Sequence, residues 1–224
     1  MKFFLDSAIV DEIRCAKENW AINGVTTNPR HILSSGKPFY VVIREMAALV
    51  KEDPDFPVSV EINPHLNRKE DMIAAAEKIA SISPNFVIKL PAIEQGASAA
   101  YALVKKGIRV NMTLVFSSSQ AIQAGRIGCE FVSPFVAWKE ECGENTADYI
   151  DEIVKIYKNY NYKTEIIVAA LRNVRQISLA ALSGAHIVTA GYAIFQKLFD
   201  HPFTDRGLTE VFQKCWDETD TTEQ

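Results

Sequence analysis

The chain has 224 residues, 48% of them hydrophobic and 23% charged. That balance excludes a disordered polypeptide and supplies enough apolar matter for one sizeable core. Twenty-four Lys and Arg against 28 Asp and Glu leave a net charge of −4, with no basic run, which argues against nucleic-acid binding because such affinity comes largely from neutralising phosphates. In chain order, short apolar runs alternate with longer amphipathic stretches. The candidate strands are Phe3–Leu5, Gly24–Thr26, Val58–Ile62, Phe86–Leu90, Arg109–Met112, Phe131–Pro134, Glu165–Ala170 and Ile187–Ala190. Several are continuously apolar and β-branched, as parallel strands covered on both faces are. Ser7–Trp20 reads as a helix with Ser7 as its N-cap. Further helices are expected at Lys69–Ile82, Glu94–Lys106 (closed by Gly107), Thr146–Tyr160, Val174–Ser183 (closed by Gly184), Ala193–Phe199 and about Asp205–Asp217. The polar end, Glu218–Gln224, is expected to fray.

Eight strand-then-helix repeats predict a (β/α)8 TIM barrel with an additional C-terminal helix. The alternative, a doubly wound open sheet, usually carries GxGxxG after its first strand, and none is present. Connections are short and no Pro-, Gly- or Ser-rich linker divides the chain, so one domain over residues 1–224 is expected. Cys15, Cys129, Cys142 and Cys215 lie far apart, without CxxC or a His at metal spacing, and read as thiols in a reducing compartment. No apolar stretch reaches the roughly 18 residues of a membrane span. Asp6 interrupts the first apolar run too early for a secretory signal. A cytoplasmic protein with no membrane partner is expected.

In a (β/α)8 barrel the site lies at the C-terminal ends of the strands. The polar residues found there are Asp6, Thr26-Thr27-Asn28, Ser59 and Glu61, Lys89, Asn111 and Thr113, Ser133, Arg172 and Asn173, and Thr189. Lys89, in Phe86-Val87-Ile88-Lys89-Leu90-Pro91, is the sharpest. Burying an amine in an apolar strand is costly unless it is paired or neutral, and an uncharged amine is a nucleophile toward carbonyls. On pattern alone, Lys89 is either that nucleophile or a strand-end lysine that reaches solvent or pairs structurally with Glu61. Glu61 could move protons while a carbinolamine loses water, with the Thr113 hydroxyl holding that water, or it could face solvent. Asp6 could take the proton of a substrate hydroxyl as a carbon–carbon bond breaks, or it could cap the following helix. His31, His65, His186 and His201 fit no triad and are assigned structural or surface places.

Six segments in order carry a resemblance: Phe4-Leu5-Asp6-Ser7-Ala8, Gly24-Val25-Thr26-Thr27-Asn28-Pro29, Pro57-Val58-Ser59-Val60-Glu61, Val87-Ile88-Lys89-Leu90-Pro91, Asn111 to Ser117, and Val132-Ser133-Pro134-Phe135-Val136. Together they resemble the transaldolase family, most nearly its short subfamily, which includes the fructose-6-phosphate aldolases. The resemblance implies a (β/α)8 barrel and Schiff-base chemistry on a sugar-phosphate ketose. Lys89 would hold a dihydroxyacetone unit as an iminium and then an enamine. Asp6 would exchange the proton of the C4 hydroxyl, and Glu61 with Thr113 would hold a catalytic water. Thr27, Asn28, Asn111 and Ser133 would bind substrate hydroxyls or brace the site. No metal or organic cofactor is expected. The resemblance also implies a homo-oligomer, a pentamer or decamer, contacted through the last helix. There Leu208, Val211, Phe212 and Trp216 make one apolar face; packing on the chain's own barrel is the other reading.

Glu61 and Phe135 follow the transaldolases, where the related aldolases usually carry Gln and Tyr. A Tyr hydroxyl beside the water would favour hydrolytic release, so this site reads as built for transfer. The anion-binding end departs from the family. Trp138 stands where an arginine is common, and Ala170 where a serine is common, while Arg172 is kept. Either Lys139 or Arg30 turns inward to replace the missing charge, or the natural substrate is not the usual sugar phosphate. Three functions remain open on these grounds: a transaldolase moving dihydroxyacetone between aldoses, an aldolase making or cleaving ketoses, and a noncatalytic sugar-phosphate-binding or assembly protein.

Overall fold

The structure, a computed structural model, describes residues 1–222. Eight parallel strands close on themselves in chain order: β1 (Lys2–Asp6), β2 (Gly24–Thr26), β3 (Val58–Glu61), β4 (Phe86–Pro91), β5 (Val110–Val115), β6 (Phe131–Pro134), β7 (Glu165–Val168) and β8 (Ile187–Ala190), which pairs back to β1. The expected (β/α)8 TIM barrel is the observed one. Around it run α1 (Val10–Asn19), α2 (Pro29–Ser34), α3 (Phe39–Val50), α4 (Lys69–Ala80), α5 (Glu94–Lys105), α6 (Ser118–Ile127), α7 (Ala137–Glu141), α8 (Thr146–Asn159), α9 (Val174–Leu182) and α10 (Tyr192–Gln196). The additional C-terminal helix follows as α11 (Pro202–Arg206), a π-helical stretch (Gly207–Phe212) and α12 (Gln213–Asp217).

Side chains alternate across a strand with a period of two, and this alternation builds the barrel's interior in layers. The lower layer is apolar: Phe4, Val87, Phe131, Ile167 and Ile187 form their own buried cluster. Phe4 and Phe131 meet edge to face at 5.7 Å. Gly24 makes room for this plug, since a Cβ there would lie 2.7 Å from the Phe4 ring. Two residues further along, four of these five strands turn polar on the same face, with Asp6 above Phe4, Lys89 above Val87, Ser133 above Phe131 and Thr189 above Ile187, while β7 continues with Ala169 above Ile167. The larger cluster, outside the barrel, is the hydrophobic seam between strands and helices, with Leu5, Val60, Ile88, Leu90 and Met112 fully buried in it.

Several local expectations change. Helix α1 begins at Val10, and Ser7 is not its N-cap residue: its hydroxyl accepts from the Ile9 amide at 3.1 Å and donates to Glu12 Oε2 at 2.5 Å, bracing the turn before the helix. Helices α2, α3, α6 and α7 fill stretches for which no helix was expected. Residues Phe39–Ile43 are aromatic or β-branched, which conceals helical periodicity, but tertiary burial of Val42, Ile43, Met46 and Val50 overrides propensity. Helix α6 contains Gly125, which brings its backbone against Tyr162; Ser117 accepts from the Gln120 amide as its N-cap. The apolar face of the last helix does not pack on the barrel, and Leu208, Val211, Phe212 and Trp216 are exposed. Glu218–Thr222 lie beyond the last helical turn. The remainder of the expected frayed end, residues 223–224, lies outside the described residues. Among the described residues no helix is long and apolar enough to cross a membrane.

Candidate active site

The C-terminal ends of the strands enclose a cavity of about 830 Å³. Lys89 forms part of its wall and is only 4% exposed. In the β3–β4 register Lys89 stands directly beside Glu61. Its Nζ lies 3.4 Å from Glu61 Oε2 and donates to the Thr27 carbonyl at 2.9 Å. The lysine therefore does not reach bulk water: it lies buried, paired with the Glu61 carboxylate beside it and with open cavity in front.

Asp6 enters from β1. Its Oδ1 accepts from Thr26 Oγ1 at 2.8 Å, and Thr26 in turn shares a hydrogen bond of 2.6 Å with Thr189. Its Oδ2 lies 3.0 Å from His31 Nε2. Burial alone would raise the Asp6 carboxyl, but the His31 hydrogen bond and charge, then the Lys89 charge and the Thr26 hydroxyl, more than offset it and hold the group below the usual carboxylate range. Asp6 thus serves as no helix cap. His31, expected to be structural or surface, borders the cavity against Asp6. The signal that could have found it is its place three residues after Asn28 in Asn28-Pro29-Arg30-His31, on the helix that opens at the end of β2.

Behind the lysine lies a buried polar chain. Ser133 Oγ donates to Asn111 Oδ1 at 2.8 Å, and Asn111 Nδ2 donates to Ser59 Oγ at 3.1 Å. Asn111 stands next to Lys89 in register. Asn28 borders the cavity while its Oδ1 caps α2 by accepting the His31 amide at 3.1 Å. Thr27 does not present its hydroxyl to the cavity: Oγ1 donates to the Ser59 carbonyl at 2.9 Å, and only its carbonyl meets the lysine. Thr113 is fully buried, and its Oγ1 finds no hydrogen-bond partner among the described residues. A buried hydroxyl without a partner is costly, on the order of 1–3 kcal/mol; Thr113 lies two residues beyond Asn111 on β5, opposite Pro91 of β4.

The rim is aromatic and cationic. Trp138 is half exposed, stacks on Phe116 at 5.7 Å and meets Phe135 edge to face at 5.8 Å. Arg30 and Arg172 both border the cavity. Arg172 is paired with Glu141, whereas Arg30 forms no salt bridge among the described residues. Lys139 does not turn inward: it donates to the Phe116 carbonyl at 3.1 Å, pairs with Glu144 and lies over the Tyr149 ring. That removes one of the two candidates for replacing the missing arginine. Two rim residues, Leu114 and Ala170, hold left-handed backbone at φ +56° and +58°. Such conformations are uncommon outside glycine and carry strain; Leu114 lies where the β5–β6 register shifts between Met112 and Val115. Among the described residues no group of three or more His, Cys, Asp or Glu side chains is placed to hold a metal ion.

An amine, two carboxylates and a row of buried hydroxyls and amides around one cavity can form a carbonyl adduct and move protons about it. The family described as Transaldolase/Fructose-6-phosphate aldolase matches residues 3–224. The chain belongs to that family and is an enzyme of the transaldolase/aldolase type. Among its relatives is the 6-deoxy-6-sulfo-D-fructose transaldolase of Priestia aryabhattai, 60% identical over 221 residues, 99% of this chain and 97% of that one. Probable transaldolases of Dictyoglomus turgidum and Bartonella tribocorum are 45% and 42% identical, each covering 97% or more of both chains.

Proposed function

We propose that residues 1–224 form one cytoplasmic catalytic domain that transfers a dihydroxyacetone unit from an anionic ketose to an aldose by Schiff-base chemistry. The observation that carries this reading is the buried Lys89 amine, walled by Glu61 and open to the cavity. Lys89 attacks the ketone carbon, and Glu61 receives and returns the protons that turn the carbinolamine into an iminium and water, with the Thr113 hydroxyl as the natural seat for that water. Asp6 then takes the proton of the C4 hydroxyl. The O–H pair becomes the new carbonyl of the departing aldehyde, the C3–C4 pair moves into a C2–C3 double bond, and the iminium pair settles on the lysine nitrogen. An acceptor aldehyde reverses these steps. Phe135 offers no proton donor beside the water, so the enamine persists until the acceptor arrives, which favours transfer over aldol release. Asn28, Asn111 and Ser133 hold the dihydroxyacetone hydroxyls, the last two through their own chain of hydrogen bonds.

The donor best suited to this rim is a 6-sulfonated ketose, the substrate named for the relative in Priestia aryabhattai. A phosphate monoester carries about −1.5 to −2 charges near neutral pH, whereas a sulfonate carries one and takes no proton. Replacing an arginine by Trp138 lowers the positive charge of the rim in the same direction, and Arg30 and Arg172 remain for the single anionic head group. The protein acts as a homo-oligomer, a pentamer or decamer by resemblance, in which the exposed face of the last helix is covered.

The test is borohydride trapping with 6-deoxy-6-sulfofructose, fructose 6-phosphate and fructose offered in parallel. A dihydroxyacetone adduct on Lys89 that is absent from Lys89→Met is expected, as is a higher kcat/KM for the sulfonated ketose. An enzyme that transfers should liberate little free dihydroxyacetone without an acceptor. An unmodified Lys89 would exclude the Schiff-base reading, and turnover led by the phosphorylated sugar would exclude the sulfonate.

A further inference from the structure

Asp6 is the one carboxylate of the site whose two oxygens are both engaged by side chains on neighbouring elements. Thr26 donates to Oδ1 from β2 at 2.8 Å, and His31 approaches Oδ2 from α2 at 3.0 Å. A carboxylate has about four lone-pair positions, so these two contacts orient the group and still leave it able to accept a substrate hydroxyl. His31 is itself fixed. Pro29 opens the helix, and Asn28 accepts the His31 amide at 3.1 Å, so the imidazole projects from a capped turn rather than from a loose loop. It remains partly open to the cavity that Asp6 faces.

We propose that His31 is a positioning residue for Asp6: by holding Oδ2 it fixes the carboxylate's orientation toward the C4 hydroxyl whose proton it accepts in the cleavage half-reaction. This rests on the Schiff-base reading above. No proton need pass to the imidazole for this role. In the cleavage step the hydroxyl proton moves to an Asp6 oxygen, and in the addition step it returns to the acceptor's carbonyl oxygen, with His31 bound to the other Asp6 oxygen throughout.

The charged and titratable groups around Asp6 are few. Lys89 faces it from β4 and adds a second favourable charge. Glu61 faces Lys89 from β3. Arg30 precedes His31 on α2, and Thr26 with Thr189 completes the ring from β2 and β8 without charge. Without His31, burial has less to oppose it, and the Asp6 carboxyl moves up. Asp6 must be ionised to accept the hydroxyl proton, so the acid limb of activity moves to higher pH in the same sense. An opposite charge within ~4–6 Å of a carboxylate moves its titration by about one to three pH units.

The experiment compares kcat/KM of the cleavage half-reaction against pH for the unsubstituted enzyme, His31→Gln and His31→Leu, with borohydride trapping on Lys89 in each. The expected result is an intact Lys89 adduct in all three, a roughly tenfold lower plateau in both variants, and an acid limb raised by about one pH unit or more in His31→Leu. His31→Gln, which keeps a hydrogen-bond donor without the charge, should lie between. A lowered rate with an unmoved limb in both variants would overturn the assignment, because a merely structural histidine changes the rate and leaves the titration alone. An unsubstituted enzyme that yields no adduct would instead sink the Lys89 reading, and this one with it.

Discussion

Trp138 fills its place on the rim by packing on its neighbours. It stacks on Phe116 and touches Phe135, while the nearest lysine, Lys139, is spent on Glu144 and a backbone carbonyl. Trp138→Arg therefore adds a cation to a rim that already holds Arg30 and Arg172. A charge-assisted hydrogen bond contributes about 1.5–3 kcal/mol, equivalent to roughly 10- to 150-fold in binding. The variant is expected to shift the ratio of kcat/KM for fructose 6-phosphate over the sulfonated ketose upward within that range. An unchanged ratio would show that Trp138 does not set the anion preference. At this scale the sequence carried much of the site. Lys89, Asp6 and Ser133 are legible because each follows, at a spacing of two, an apolar residue of the barrel plug. His31 was missed: its meaning lies in Asp6, a residue on another element, and its place three residues after Asn28 was the one pointer along the chain. The alternative that Lys139 turns inward could not be decided from sequence for the related reason that its partner, Glu144, lies beyond the end of its short helix.

The lysine strand and its helix constrain one another. The fifth helix passes so close to the end of β4 that a Cβ on Gly96 would lie 2.0 Å from the Pro91 carbonyl oxygen, two residues beyond Lys89. A contact with backbone has no side-chain rotamer to relieve it, so either α5 or the end of β4 must move. Gly96→Ala is expected to lower stability by about 1–3 kcal/mol, the usual cost of overpacking, read as a lower denaturant midpoint. A midpoint equal to that of the unsubstituted protein would show that the helix yields without cost. All eight strands were legible, because buried parallel strands read as short β-branched runs between helical stretches. The hidden elements were α2 and α7, each only five or six residues long, α3, whose start looks like a strand, and α6, which contains a glycine. The bend at Leu114 was also hidden, since a left-handed leucine is dictated by the β5–β6 register shift and not by its own preference.

Closure of the barrel leaves no free sheet edge, and the last helix leaves an apolar surface exposed. Phe203, Leu208, Val211, Phe212 and Trp216 all stand in solvent, and contiguous apolar patches of this kind mark interaction surfaces. If identical subunits cover that face, association stabilises the fold by mass action. Sedimentation over falling concentration should show loss of the oligomer, accompanied by a falling Tm. A monomer with a concentration-independent Tm would contradict the assembly. The eight-fold layout was legible at this scale from periodicity, but the fate of the final helix was not, because an amphipathic pattern is the same whether its partner is the home barrel or a neighbour. The arrangement has a practical corollary. Among the described residues the cavity wall draws on nothing past Ile194, so cutting the chain after α10 should separate chemistry from assembly, leaving a lone barrel whose lysine still captures a ketose.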